Sequence, residues 1–337
     1  MRQIPYAKWP PEILSYLSGV THNVVRASHA FHEGQTAGFV DVSELDLLYC
    51  KPCSPIRNYN EMRRIVARIA SLNPQYELYF RGQGSVHKRG GGEGFGHSVL
   101  PSLWRNRSEA QRRVEILQEC SNAMLKQYAE FPGRDEATLR VLMESRPAVW
   151  ALLQHYELCA TPLVDLTRTL QIACSFALQY GRANGGPGYV YVFGLPFQQE
   201  KMTTSQSEGV LCMSLLGITP SNADRPLVQD GYLACDQNWW RCADESMLVD
   251  AAARDWDMAA RILAVLEIAD VPGDDRSFWA QSSLSPLSEE DLYPTADAFY
   301  SDFLKQNKFY DFACQSHESR ELPAYCNRKI DDLGVRK

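Results

Sequence analysis

The 337-residue sequence is short of positive charge, of long apolar runs and of paired cysteines, and each shortage removes a class of protein. With 34 Lys and Arg against 41 Asp and Glu, the net charge is −7. A chain of that sign has no long-range attraction to phosphate backbones, so a nucleic-acid grip by the whole protein is disfavoured and only a local basic patch is left. Met1 to Gly19 carries Lys8, prolines and a glutamate between short apolar patches, which gives neither the core of a secretion signal nor a bilayer span. The ten cysteines are scattered, several of them inside apolar runs, and do not read as a disulfide framework. Only Cys50 and Cys53 have zinc-knuckle spacing; no second close Cys/His pair accompanies them, and a turn with two incidental thiols is expected. Internal repeats and low-complexity tracts are absent too. A cytoplasmic protein with reduced thiols is the expectation.

What is present is core-forming material. Hydrophobic residues make up 45% of the chain and charged residues 22%, enough apolar surface to offset the entropy of ordering it. The length admits one large domain with added elements or two small ones. Residues 1–57, rich in Pro, Ser, His and Asn, read as a leader packed on the core, with a possible strand at 37–42. The core is placed at 58–235, and 236–337 is expected to be a mostly helical extension, able to offer a surface to a protein partner.

Periodicity supplies the elements. Met62, Ile65, Val66 and Ile69 share one face of a helix over 59–72. Tyr76 to Arg81 alternates as a strand, and the glycine-rich stretch from Gly82 to Gly96 reads as a mobile loop. Ser108 and Gln111 have capping-box spacing ahead of a long helix through Phe131. Helices at 136–145 and 148–157 follow, separated at Pro147. Thr167 to Tyr180 is apolar on nearly every side and reads as a central helix buried between layers, and Tyr189 to Phe193 as a buried strand. Short strands are expected at 210–218 and 231–234, and 261–268 fits either a strand or a helix end.

Five blocks then resemble the FRG domain family in its order. They are Tyr79-Phe80-Arg81-Gly82-Gln83; Val99 to Arg105; Leu153-Gln154-His155-Tyr156 running into Ala160 to Thr167; Arg225 with Gln229-Asp230-Gly231-Tyr232; and Leu292-Tyr293-Pro294 near the domain's end. The chain departs from the family pattern at Leu163, where arginine is usual, and at Leu166, where tryptophan is. On this resemblance roughly 79–235 form the module. It implies a fold similar to ADP-ribosyltransferases: an α+β or α/β core with a mixed, split sheet and flanking helices.

The resemblance also implies a chemistry. Cleaving the nicotinamide–ribose bond of NAD builds cationic charge on the sugar, so a site must hold the pyrophosphate and steady the cation. Arg81, Thr167 and Gln229 are the expected catalytic centre, with Arg81, Gln83, His155, Tyr156 and Asp165 as contacts for NAD. Gln229 stands where such enzymes commonly carry glutamate, and an amide supplies no negative charge. Structural roles compete at each position: an Arg81–Asp165 ion pair, Thr167 as a helix cap, and a buried hydrogen-bonded His155. Two readings result, an NAD-dependent ADP-ribosyltransferase-like effector of a toxin or defence system, and a non-catalytic module that binds a nucleotide or a protein. A nuclease ranks last.

Overall fold

The computed structural model describes residues 55–87, 98–206, 208–236, 248, 258–269 and 276–306. Helix α1, Tyr59–Leu72, starts at Asn58, whose side chain accepts the Glu61 N–H, and buries Met62, Ile65, Val66 and Ile69. Strand β1 runs Glu77–Gln83, two residues further than its aromatic alternation suggests. Three helices follow: α2, Ala110–Glu130; α3, Glu136–Glu144; and α4, Arg146–His155 with Pro147 in its first turn. The Ser108 capping box does not form, because the Ser108 N–H and hydroxyl both turn back onto Asn106 and a 3₁₀ turn leads into α2 instead.

Strand β2, Val164–Thr167, precedes the central helix α5, Leu170–Ala183, so Thr167 ends a strand and does not open the helix. Next come β3, Gly188–Leu195; β4, Met202–Ser205; β5, Val210–Ser214; α6, Asp224–Val228; β6, Gly231–Asp236; and β7, Ile262–Ile268. Short helices α7, Arg276–Trp279, and α8, Glu289–Leu292, precede a π-helical turn at Phe299–Leu304.

The protein is α+β, built on one seven-stranded sheet in the order β4-β5-β6-β2-β1-β3-β7. Every ladder between these strands is antiparallel, which corrects the expected mixed sheet. The expected split into separate parts is not there either, since the sheet is continuous. Its centre is nevertheless thinly joined. β1 pairs with β3 along its whole length from Glu77 to Gln83, but with β2 only through Phe80 opposite Thr167. Of the two readings of 261–268, the strand is found: β7 is an edge strand whose run Ile262-Leu263-Ala264-Val265-Leu266 is apolar on both faces because helix packing lies on one side and aromatic residues on the other.

On one face α1 and α5 cover Phe80, Val190, Val192 and β7. Close approach here requires Gly82, where a Cβ would overlap the Ala173 carbonyl of α5. On the other face Tyr79, Tyr191, Phe193 and Tyr232 form an aromatic layer. A separate cluster packs α2, α3, α4 and the π-helical turn against β5 and β6. Among the described residues no helix is long and apolar enough to cross a membrane. The possible strand at 37–42, the Cys50/Cys53 turn and the glycine loop beyond 87 lie outside the described residues.

Candidate functional site

Where β1 and β2 part, main-chain groups that would have paired across the sheet need other partners. Arg81 supplies one: its Nη1 donates to the Asp165 carbonyl at 2.8 Å, bridging the seam. The Asp165 carboxylate is then held from the far side by α4. Gln154 Nε2 donates to Oδ2 at 2.9 Å, and His155 Nδ1 lies 3.5 Å from Oδ1. Gln154 is itself fixed, its Oε1 accepting from the hydroxyls of Thr161 at 2.7 Å and Ser102 at 3.1 Å. The segment before α2 is thereby tied to Asp165.

Burial pulls the His155 imidazole down from its ordinary value, against the pull of Asp165, so the ring is neutral at pH 7 and Nδ1–H donates to the carboxylate. Burial pushes Asp165 up, but the His155 hydrogen bond, the Arg81 charge and Gln154 together outweigh it and hold the carboxyl below the ordinary range. Asp165 is therefore an anion, and 33% of its side chain stays exposed. Arg105 is exposed, and desolvation together with the Arg81 charge lowers its guanidinium to about 10.

Three buried polar atoms of these segments have no protein partner among the described residues: Arg81 Nε, Gln83 Oε1 and His155 Nε2. Buried polar atoms are nearly always satisfied, and a cluster of exceptions marks a place where water or a ligand belongs.

A second arc starts two residues after His155. Glu157 Oε1 accepts from Arg225 Nη2 at 2.9 Å. The Arg225 guanidinium lies 4.6 Å from the Tyr293 ring centre and 5.6 Å from that of Tyr156. Burial opposes the Arg225 charge, but Glu157 and the tyrosines hold its pKa above the ordinary value. Tyr293 and Tyr180 share a hydroxyl bond of 2.9 Å, and the Tyr180 carbonyl packs against Gly84, just past the end of β1. This arc runs from Glu157 through Arg225 and Tyr293 to Tyr180.

Comparison with known families places this arrangement. The sequence profile of the FRG domain matches residues 77–185. The chain carries an FRG domain. Comparison with curated proteins and with solved structures finds no match.

The FRG domain brings some of the expected residues together. Arg81, Asp165 and His155 are joined by direct contacts, and these three residues and Gln83 all lie in the matched span. Thr167, 5% exposed, does not join them through its hydroxyl, which accepts from the Thr169 N–H at 3.1 Å; the turn into α5 uses it. Gln229, 8% exposed, lies at the end of α6 and not on a strand, and its Nε2 donates to the Leu292 carbonyl at 2.7 Å. Tyr156 is wholly packed, donating to Asp297 Oδ2 at 2.8 Å against Phe299. The Arg81–Asp165 ion pair is replaced by the main-chain bond.

Gln154, Glu157, Arg105, Tyr180 and Arg225 are the site residues that sequence reasoning did not assign. Gln154, Arg105 and Arg225 stand inside the blocks that carry the family resemblance, which is the signal that points to them. Tyr180 and Glu157 have no such mark. Arg225 and Tyr293 lie beyond residue 185, outside the matched FRG domain.

Proposed function

We propose that the FRG domain of this protein binds an NAD-type dinucleotide at the β1–β2 seam. The observation that carries the reading is Arg81, a guanidinium spanning the seam with Nε buried; among the described residues that Nε has no partner, and the same holds of the buried Gln83 Oε1 and His155 Nε2. A guanidinium suits a phosphate or ribose oxygen, and its neighbour Arg105 adds positive charge for a pyrophosphate. Gln83 Oε1 and the neutral His155 Nε2 both accept, which matches the hydroxyls of ribose or a carboxamide N–H. A cation and acceptors are what a dinucleotide asks of a protein.

Asp165 supports a second reading, in which the bound dinucleotide is turned over as in ADP-ribosyl transfer. Departure of nicotinamide takes the electron pair of the C–N bond and leaves a cationic ribose, and an ionised carboxylate at the same seam would steady it. Asp165, and not Gln229, would then be the anion of the site. Against turnover stands the engagement of Thr167 and Gln229 in local hydrogen bonds, which favours a module that holds its ligand unchanged.

Mixing the full chain with NAD and following both binding and nicotinamide release separates the cases. Saturable binding with no release identifies the binding module. Release that stops in Asp165→Asn identifies the transferase-like activity. Absence of both in the wild type removes NAD from consideration.

A further inference from the structure

Between α7 and the end of α8 the chain crosses the outside of the protein without entering its core. Phe278 and Trp279 are buried, Trp279 stacking on Tyr59 at 4.7 Å, and Leu292 is buried again, but no residue from 281 to 291 is. Among the described residues, the main chain of 283–291 bonds no main-chain group of the sheet or of α1 to α6.

Side chains of the underlying helices hold it instead. Asn60 of α1 donates to the Gln281 carbonyl. On α5, Gln171 Nε2 donates to the Ser285 carbonyl at 2.7 Å, the Ser175 hydroxyl accepts the Leu287 N–H at 3.1 Å, and Gln179 Nε2 donates to the Leu287 carbonyl at 2.8 Å. Gln171, Ser175 and Gln179 are spaced by four and share one face of the helix, so the segment lies along that face. Each of these bonds ends on a main-chain atom of the segment. Pro286, between the two points of attachment on α5, biases Ser285 to extended backbone.

Little apolar area resists separation here. Leu284 is 37% exposed, and Pro286 and Leu287 are only half-buried. The segment's internal bonds, Ser282 with Leu284 and Ser288 with Asp291, would move with it. A stretch with few buried apolar groups and solvent-accessible hydrogen bonds belongs to the low-stability end of a fold, where opening is local.

We infer that residues 281–291 form a strap that lifts off α5 as one unit while the sheet and its helices stay folded, with Gln171, Ser175 and Gln179 as the latch. Phe278-Trp279 and Leu292 are its fixed ends. Lifting uncovers the outer face of α5, where Ser175 is otherwise buried and Phe176 half-buried. The strap leads straight into Leu292 and Tyr293, the partners of Gln229 and Tyr180, so it borders the second arc. The inference is independent of any dinucleotide.

Native-state hydrogen exchange on the full chain, read residue by residue at urea concentrations below the unfolding transition, tests this at the Leu287 amide. Leu287 is expected to exchange at least about a hundredfold faster than the β3 amides, the mark of a local opening. Urea should leave its rate unchanged, because lifting the strap exposes little surface. Gln171→Ala and Gln179→Ala remove bonds to carbonyls and not to that N–H; each is expected to speed Leu287 exchange about fivefold, the net worth of one hydrogen bond, with β3 unaltered. A wild-type Leu287 that matches β3 in rate and in urea dependence opens only with the whole protein and overturns the inference, a result that needs no variant. A Leu287 rate that either substitution leaves unchanged overturns it as well, since the latch residues would then hold separate points and not one unit.

Discussion

Arg81 and Asp165 meet through the main chain: Nη1 donates to the Asp165 carbonyl at 2.8 Å, leaving the carboxylate to His155 and Gln154. An ion pair between the two would have spent both charges on each other. The observed bond instead keeps a guanidinium and a carboxylate side by side, each with capacity to spare, at the one place where the sheet is joined by a single residue pair.

Removal of Arg81 should therefore separate binding from stability. Arg81→Ala is expected to lose about 1 kcal/mol of stability, the net worth of one hydrogen bond. Urea denaturation measures that loss. Arg81→Lys keeps the charge but not the planar fork, and is expected to recover little of the ligand affinity.

The His155–Asp165 pair gives a signed pH dependence. The folded imidazole is held below its ordinary 6.5, so the unfolded chain binds more protons just below that pH. Stability from this group is complete above pH 6.5 and falls as the pH drops from there through the folded value. Asp165, held below 3.8, adds a second loss only when the pH falls below about 3.8. Thermal unfolding of wild type should thus weaken between pH 7 and 5, and His155→Asn, which keeps a donor for Asp165 without a titrating ring, should flatten that slope. An unchanged slope in the variant would place the acid sensitivity elsewhere.

Gly82 is predicted to be irreplaceable for packing. A Cβ there would meet the Ala173 carbonyl and the Ala177 N–H of the central helix, both backbone. Gly82→Ala should cost about 3 kcal/mol, the upper range for forcing atoms into a packed core. Gly186→Ala, where a Cβ meets nothing within 4 Å, is the control and should be within about 0.5 kcal/mol of wild type.

Converting Gln229 to the glutamate usual in ADP-ribosyltransferases should not create or raise nicotinamide release. Its amide donates to the buried Leu292 carbonyl, and a carboxylate cannot. Gln229→Glu is expected to destabilise by roughly 1–3 kcal/mol, the cost of leaving a buried polar group unsatisfied. Increased release in this variant would restore Gln229 to the catalytic centre.

Much of the fold was legible because its signals are local. The α1 face at Met62, Ile65, Val66 and Ile69, the Pro147 boundary and the Tyr189 to Phe193 strand each follow from spacing within a few residues. β4 was not legible: Met202-Thr203-Thr204-Ser205 is short and mostly polar, and becomes a strand only because β5 pairs with it. Strand direction was misjudged for a related reason, since register between distant segments leaves no mark in either one. At the site, the nearness of Arg81 to Asp165 was legible, but not that the bond runs to the Asp165 main chain. The roles of Thr167 and Gln229 were not, because a hydroxyl that closes a turn and one that faces a ligand look alike until its acceptor is seen. Glu157 was invisible for want of any sequence sign of a positive φ.

The dinucleotide reading comes down to whether Arg81 holds an NAD-type ligand at the β1–β2 seam. Isothermal titration of NAD into the full-length wild type and Arg81→Ala tests it most directly, with thermal unfolding run alongside on both. Saturable wild-type binding, weakened at least about tenfold in a variant that still unfolds cooperatively, or about 1.4 kcal/mol, is the predicted result. Equal binding by the two proteins, or none by the wild type, contradicts it.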